Sequence, residues 1–277
     1  MQQLIASMVY PIAKIGLAQL EPFVFAFFRF TIASVVLMTI VKSRTYAVPI
    51  DKKDYPRIIL LGILIIPLNQ TLFLIGQSMT AAGHGAFLFA TTPIWIFLLA
   101  LIHLKEKTPT RRAAGIILGM LGVATIMWSG LRTAGQEYFI GDVIIVIAVI
   151  AWGYYTIVGK GLVRKYGALR ITAYALTSGS VLYFPFGLYR AVVFDYSEVT
   201  ISAWLSVGYL AVGLSVIVYL IWYWLLKYME ASRAAVFQNI QPVVASTVAY
   251  FFLHEPLGIA FVVGGLIVIS GVVLSET

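Results

Sequence analysis

Apolar runs of about 20 residues follow one another along the whole chain, and short polar segments separate them. A helix of about 20 apolar residues is long enough to cross the hydrocarbon core of a bilayer. By this measure the sequence predicts ten spans, at residues 1–19, 22–41, 57–77, 81–104, 112–130, 140–159, 170–190, 202–226, 232–253 and 257–275. The longest interruptions, 42–56 and 190–201, leave no room for a soluble domain.

The composition points to the same class of protein. Hydrophobic residues make up 61% of the 277 residues, charged residues make up 11%, and the mean hydropathy is +0.96. Soluble domains carry about 25% charged residues, so we expect an all-α polytopic membrane protein whose surroundings are the lipid bilayer. The chain has no cysteine, which excludes disulfides, thiolate metal sites and thiol nucleophiles.

The basic residues predict how the spans are oriented. The loops after spans 2, 4, 6 and 8 hold five, four, four and two of them, or 15 of the 19 lysines and arginines. Short loops rich in Lys and Arg face the cytoplasm, so both termini are predicted to be cytoplasmic. The net charge of +8 comes from these loops and not from one basic face, so nucleic acid is not expected as a partner.

The two halves of the chain resemble each other. A shift of 149 positions aligns the following identical residues: Pro93 with Pro242, Glu106 with Glu255, Gly115 with Gly264, and Gly122 with Gly271. A weaker match, with a shift of 146, aligns Lys14 with Lys160. Residues 1–134 and 135–277 are therefore predicted to be two five-span repeats, and the odd number of spans inverts the second. Such repeats recur in secondary transporters, with the substrate site near the midplane between them.

Two segments carry a resemblance to a known family. They are 80–107, TAAGHGAFLFATTPIWIFLLALIHLKEK, and 226–258, LKYMEASRAAVFQNIQPVVASTVAYFFLHEPLG. With a helix start of small residues, a midplane proline and a terminal glutamate, each resembles the EamA branch of the drug/metabolite transporter (DMT) superfamily. The Trp-Gly that this family carries near the start of each repeat is present as Trp152–Gly153, whereas Ala6–Ser7 replaces it in span 1.

The resemblance implies ten helices in two inverted repeats that work by alternating access. It also implies export or exchange of small metabolites, often amino acids, across a bacterial inner membrane. No cofactor and no metal site are expected. Neither the residues nor the resemblance decides between a monomer and a dimer.

The first half of span 9 is unusually polar for a membrane helix. It contains three amides and a proline: Gln238, Asn239, Gln241 and Pro242. In the aligned part of span 4, Thr91 precedes Pro93. An unsatisfied amide in hydrocarbon costs several kcal/mol, so these side chains either bond to neighbouring helices or line a wet substrate cavity. In the second case the two prolines kink a pair of gating helices around that cavity.

Spans 3, 6 and 8 supply further candidates. Asn69 and Gln70 follow Pro67, which predicts another polar kink inside the membrane, and cavity lining and structural bonding fit them equally. Four aromatic residues lie deep in their spans: Trp152, Tyr155, Tyr219 and Trp222. Such residues either pack against each other or stack on a flat substrate.

The buried charges are the more informative residues. Arg29 lies eight residues beyond Glu21, hence about 12 Å deep, where a charge needs a partner or water. It either lines the cavity or forms a structural pair with Glu21, Asp142 or helix-end carbonyls. His84, near the start of span 4, could titrate near neutral pH. Lys160 is expected at the cytoplasmic edge.

The acidic residues restrict the function. None of the 11 lies near a midplane, so the carboxylate with which proton-coupled exporters bind lipophilic cations is missing. We therefore expect a neutral or zwitterionic small-molecule substrate, most simply an amino acid. Nucleobases, sugars and nucleotide sugars remain alternatives, and a passive channel is less favoured. The sequence contains no motif of a hydrolase or phosphate-binding enzyme, so an integral membrane enzyme is also less favoured.

Overall fold

The computed structural model describes residues 5–6, 8–46, 48–79, 88–106, 109–131, 139–240, 244 and 259–276. Within these ranges every regular element is helical, because a helix satisfies its backbone hydrogen bonds without help from the surrounding lipid. In the first half of the chain the α-helices are α1 (Val9–Leu17), α2 (Pro22–Lys42), α3 (Tyr55–Ile63), α4 (Leu72–Met79), α5 (Thr92–Leu99) and α6 (Thr110–Leu131).

The second half contains six further α-helices. They are α7 (Phe139–Tyr166), α8 (Ala168–Val193), α9 (Ile201–Tyr209), α10 (Tyr219–Tyr228), α11 (Ala231–Val236) and α12 (Ile259–Glu276). Four continuous helical stretches of the described chain are long and apolar enough to cross a membrane: Pro22–Lys42, Lys52–Gly76, Phe139–Tyr166 and Ile201–Tyr228. The prediction of an all-α membrane protein is confirmed at this level.

Wide π-helical segments interrupt two of the long helical stretches and end a shorter helix. Leu64–Thr71 joins α3 to α4, Ala100–Leu104 follows α5, and Leu210–Val218 joins α9 to α10. The first contains Pro67, whose missing N–H removes one hydrogen bond from the regular α-helical pattern. Segments of this kind occur frequently at functional sites, and two of the three contribute side chains to the site described below.

Glycines allow the closest helix contacts. A Cβ atom added to Gly115 of α6 would lie 2.5 Å from the carbonyl oxygen of Gly271 in α12, and one added to Gly122 would lie 2.7 Å from that of Gly264. These distances are too short for any larger residue, so α6 and α12 pack backbone against backbone, as small residues permit in membranes. Helices α2 and α8 form the other extensive pair.

Charged residues concentrate at the two ends of the bundle. At one end, which we call the basic end, Lys165 donates to Asp54 at 2.8 Å, and Lys160 pairs with Glu106. At the opposite end, Arg190 pairs with Glu21. Between these layers the described helices carry few charges, and Arg29 is one that is buried.

Candidate functional site

Arg29 lies in the first half of α2 and is only 6% exposed. Its Nε donates a hydrogen bond of 2.9 Å to Ser215 Oγ, and its Nη1 donates one of 3.2 Å to Gln70 Oε1. The two acceptors belong to the π-helical segments Leu210–Val218 and Leu64–Thr71. The guanidinium therefore joins three separate parts of the chain.

The amides continue this network into α7. Gln70 donates 2.6 Å to Asn69 Oδ1, and Asn69 Nδ2 donates 2.8 Å to the carbonyl oxygen of Ala148. Asn69 is fully buried, whereas Gln70 is only partly buried. The sequence left cavity lining and structural bonding open for these two amides. Asn69 fits structural bonding, whereas Gln70 is hydrogen-bonded and also partly accessible.

The charge of Arg29 has no opposite charge among the described residues. Of the structural partners that the sequence offered for it, Glu21 pairs with Arg190 instead. Nη2 is buried and has no hydrogen-bond partner in the described part of the chain, and the hydroxyl of Tyr219 lies close enough to interact with the guanidinium. A buried charge that only neutral groups solvate is suited to bind an anionic group.

An aromatic cluster adjoins the arginine. The Trp152 ring centroid lies 5.4 Å from Tyr155, 5.5 Å from Tyr219 and 5.8 Å from Trp222. The predicted aromatic candidates of spans 6 and 8 are thus brought together in one cluster. Because Tyr219 contacts both Arg29 and Trp152, the cationic group and the aromatic surface form a continuous wall.

Most members of the cluster are fixed and only one has a free face. Trp222 is fully buried and donates 3.1 Å to Thr156 Oγ1, and the fully buried Tyr223 donates 3.1 Å to the carbonyl oxygen of Tyr155. A Cβ atom on Gly159 would lie 2.1 Å from the Tyr223 hydroxyl, so this glycine makes room for the ring. Trp152 is only partly buried, so part of its ring stays accessible.

The proline-containing region of span 4 begins a helix. The chain turns at Thr91, and Pro93 occupies the first turn of α5, where a missing N–H costs nothing. Trp95 Nε1 donates 3.2 Å to Thr91 Oγ1. The short 3₁₀ turn Phe237–Asn239 contacts α5, so the polar residues of spans 4 and 9 lie side by side.

The amides of span 9 differ in their surroundings. Gln238 is partly buried, whereas Asn239 is fully buried against Gly119 of α6. Neither amide atom of Asn239 has a hydrogen-bond partner among the described residues. The remaining predicted residues of this group, Gln241, Pro242 and His84, lie outside the described residues.

A charged cluster that was not predicted from the sequence ties helices together at the basic end. Glu106 accepts hydrogen bonds from Lys160 Nζ at 2.5 Å, from the backbone N–H of Ala231 at 3.0 Å and from Ser232 Oγ at 2.7 Å. The carboxylate therefore caps the first turn of α11 and neutralises a lysine of α7. Lys160 lies at the predicted edge, but it is 4% exposed. The signal in the sequence was the duplication of Glu106 as Glu255.

The backbone before Glu106 is bent to place this carboxylate. Lys105 has a φ of +50°, a left-handed conformation that non-glycine residues adopt at a cost of about 1–2 kcal/mol. Burial raises the pKa of Glu106, but the hydrogen bonds from Lys160, Ala231 and Ser232 outweigh burial and hold the pKa below its usual range. The carboxylate is therefore ionised at neutral pH.

A second ion pair reinforces the same contact. Arg112, near the start of α6, pairs with Glu230 and donates 3.2 Å to Ser232 Oγ. Ser232 thus links two charged pairs at the start of α11. Helices α6, α7 and α11 and the chain after α5 are held together at the basic end by this network, which we call the Glu106 cluster (Glu106, Lys160, Arg112, Glu230 and Ser232).

Comparison with known proteins gives matches along almost the whole chain. The model of the EamA-like transporter family matches residues 3–128 and 139–277. An uncharacterized transporter of Archaeoglobus fulgidus is 28% identical over 265 residues, covering 95% of this chain and 90% of that protein. An uncharacterized transporter of Bacillus subtilis is 29% identical, covering 93% and 81%.

Two further similarities are relevant to the site and the fold. A protein of Streptantibioticus cattleyicolor named as a probable terminal-alkyne amino-acid exporter is 27% identical, covering 96% of this chain and 87% of its own length. A solved structure with 16% sequence identity superimposes with a TM-score of 0.82 over 99% of this chain and 93% of that chain, which shows the same fold. The two family matches confirm the resemblance that the duplicated segments indicated. The chain belongs to the EamA-like transporter family, and it is a multi-pass membrane protein.

Proposed function

We propose that this protein is a secondary transporter that exports or exchanges amino acids, or similar zwitterionic metabolites, through a central cavity by alternating access. The observation that carries the proposal is the buried guanidinium of Arg29, which has no opposite charge among the described residues and adjoins an aromatic wall. The substrate leaves chemically unchanged, as expected of a transporter rather than an enzyme.

The groups around Arg29 match the parts of an amino acid. Arginine binds a carboxylate through two parallel N–H groups, and Arg29 Nη2 has no other hydrogen-bond partner in the described residues. Next to it, Trp152 presents a partly exposed ring that suits an apolar side chain or an ammonium group, since cations are attracted to aromatic faces. The relative named as a probable amino-acid exporter supports the same substrate class.

Contacts that fit a pseudo-two-fold axis between the two halves of the chain support the alternating-access part of the proposal. Ser34 of α2 and Ser180 of α8 are 146 positions apart, which is the weaker repeat shift, and their hydroxyl oxygens lie 2.8 Å apart. A residue contacts its own equivalent only on a two-fold axis. The glycine contacts fit as well. Gly115 contacts Gly271, and the equivalent of Gly115, Gly264, contacts Gly122, which is the equivalent of Gly271.

The Glu106 cluster supplies a closed gate in this scheme. We assign the basic end to the cytoplasm, because most basic loops lie there, and the protein to the bacterial inner membrane. With the basic end held shut, the substrate exchanges with the opposite side, and release of the cluster would open the path to the cytoplasm.

Counterflow in proteoliposomes tests the proposal. Vesicles with the purified protein are preloaded with one unlabelled amino acid and then diluted into trace labelled phenylalanine or threonine. We expect saturable accumulation of label, competition by other amino acids, and weak competition by phenylalaninamide, which lacks the carboxylate. Saturable counterflow of nucleobases or sugars, with no counterflow of amino acids, would overturn the proposal that the substrate is an amino acid. Flux that does not saturate would indicate a channel and not a carrier.

A further inference from the structure

Among the described residues, a groove at the basic end is lined by three cations and no carboxylate. Its volume is about 490 Å³, and its charged lining residues are Arg44, Arg170 and Lys227. None of the three takes part in an ion pair with a described carboxylate; the neighbouring Asp54 binds Lys165 and Tyr166 instead. The described lining of the groove thus concentrates positive charge and supplies no counter-charge of its own.

Arg170 is built into the groove rather than placed on its rim. Its side chain is 7% exposed, and its guanidinium lies 4.5 Å from the Tyr46 ring centroid and 5.8 Å from that of Tyr166. One N–H group donates to the carbonyl oxygen of Val48, but Nε is buried and has no hydrogen-bond partner among the described residues. The aromatic rings fix the position of the charge, and a donor is left for a ligand.

The start of helix α8 borders the same groove. Gly167, Ala168, Leu169 and Arg170 all line it, and no side chain caps this 26-residue helix. The first N–H groups of a helix have no partner within the helix, and the helix dipole adds positive potential there. Gly167 has a φ of +86°, a left-handed conformation that glycine adopts readily, and the chain turns there from α7 into α8.

One wall of the groove belongs to the lipid-facing surface. Trp224, Leu220 and Ile221 of α10 complete the lining. Trp224 is 53% exposed, and Tyr228, one turn further along, is 65% exposed. Exposed aromatic residues at the end of a membrane helix mark the level of the lipid headgroups. The groove therefore opens sideways, towards lipid, at the depth of the phosphates.

We propose that this groove binds the phosphodiester of an anionic phospholipid from the leaflet at the basic end. The phosphate accepts hydrogen bonds from the start of α8 and from Arg170, which is the usual role of an uncapped helix start. Arg44 and Lys227 neutralise the headgroup, and the acyl chains lie along Trp224 and Leu220. The lipid joins the chain after α2, the start of α8 and the end of α10, three elements far apart in sequence.

Two double variants with the same change in charge test the site. Arg44→Gln/Lys227→Gln removes two exposed cations of the groove, and Lys52→Gln/Lys53→Gln removes two exposed cations of the same end that do not line it. Native mass spectrometry of the full chain in neutral detergent measures the binding of phosphatidylglycerol, with phosphatidylcholine as the zwitterionic comparison. Melting curves establish that each variant is folded.

We expect tight binding of phosphatidylglycerol and weak binding of phosphatidylcholine. The groove variant should bind phosphatidylglycerol about 30-fold more weakly, because each basic group near an anionic lipid contributes roughly a factor of five. The control variant should bind as the unchanged protein does. Equal loss in both variants, or no preference for the anionic lipid, overturns the proposal.

A competition arm separates the two sources of phosphate. Inorganic phosphate is titrated against bound phosphatidylglycerol at constant ionic strength. If the groove binds lipid, phosphatidylglycerol should stay bound at millimolar phosphate, because inorganic phosphate cannot replace the contacts that the acyl chains make. Displacement at micromolar phosphate would identify a site for the free anion and overturn the assignment to lipid. Neither result depends on the substrate that the protein transports.

Discussion

Glu106 binds Lys160 at 2.5 Å and at the same time caps the start of helix α11 through Ala231 and Ser232. Both side chains of the pair are only 6% exposed. A buried ion pair is stable only while its hydrogen bonds are complete. The contact is therefore sensitive to any movement of α11 relative to α7, which is the property that a gate requires.

Replacing Glu106 by glutamine should open the basic end. Glu106→Gln leaves the buried Lys160 without a counter-charge, which costs roughly 3 kcal/mol in the closed arrangement. The chain has no cysteine, so a single Thr91→Cys reporter, next to the proposed cavity, can be labelled directly. We expect maleimide to label this cysteine at least ten-fold faster from the basic side of oriented vesicles in the Glu106→Gln background.

The matched control for this gate experiment is Glu198→Gln. Glu198 is exposed and lies in the loop before α9, at the opposite end. The Glu198→Gln substitution removes the same charge as Glu106→Gln without changing the Glu106 cluster. In this background, maleimide should therefore label Thr91→Cys at the same rate as in the protein that carries Thr91→Cys alone. If Glu106→Gln also leaves the rate unchanged, the cluster is a static contact and not a gate.

The pKa of Glu106 makes the closed arrangement dependent on pH in a defined direction. Its hydrogen bonds hold the pKa below the usual value despite burial, so the folded, closed protein favours the ionised carboxylate. The stabilisation is complete above the ordinary glutamate pKa of about 4.3 and is lost as the pH falls through the lowered pKa. Between pH 5 and pH 8 it is constant.

Thermal unfolding across pH detects this contribution. We expect the melting temperature of the unchanged protein minus that of Glu106→Gln to be constant from about pH 8 to pH 5 and to shrink below about pH 4. A difference that grows as the pH falls would mean that the carboxyl group is protonated in the folded protein, contrary to the geometry.

Arg29 should determine the recognition of the substrate carboxylate. We expect Arg29→Gln to weaken amino-acid binding about 10- to 100-fold, because a hydrogen bond to a charged group contributes roughly 1.5–3 kcal/mol. Arg29→Lys should recover part of this loss, since lysine keeps the charge but not the paired N–H groups. Competition against labelled phenylalanine in proteoliposomes gives both affinities.

A second ligand shows whether Arg29 acts on the carboxylate or only on the fold. Phenylalaninamide should bind the unchanged protein and Arg29→Gln with similar, weak affinity, so the preference for the acid disappears in the variant. An equal loss of affinity for both ligands would assign Arg29 to the support of Ser215 and Gln70, and not to the substrate.

Much of the fold was predictable because its cause is local. The apolar run 22–41 corresponds to helix Pro22–Lys42, since twenty apolar residues in a membrane have few other stable conformations. The depth of Arg29 also follows from counting along one helix. Its partner Ser215 does not, because it is 186 positions away and nothing in an isolated serine predicts such a contact. The π-helical segments that place Ser215 and Gln70 likewise depend on packing between helices.

The two tryptophans of the aromatic cluster should respond differently to substitution by phenylalanine. Trp222 is fully buried and donates to Thr156, so Trp222→Phe leaves a buried hydroxyl without its partner and should lower stability by about 1–3 kcal/mol. Trp152 is partly buried, so Trp152→Phe should change stability by less than about 1 kcal/mol, because the buried rings provide most of the packing in the cluster. The same substitution should reduce substrate affinity several-fold, because the exposed ring provides the contact area for the substrate. Melting curves and counterflow on the same preparations separate the two effects. If Trp222→Phe lowers substrate affinity without a change in melting temperature, Trp222 and not Trp152 is the ring that contacts the substrate.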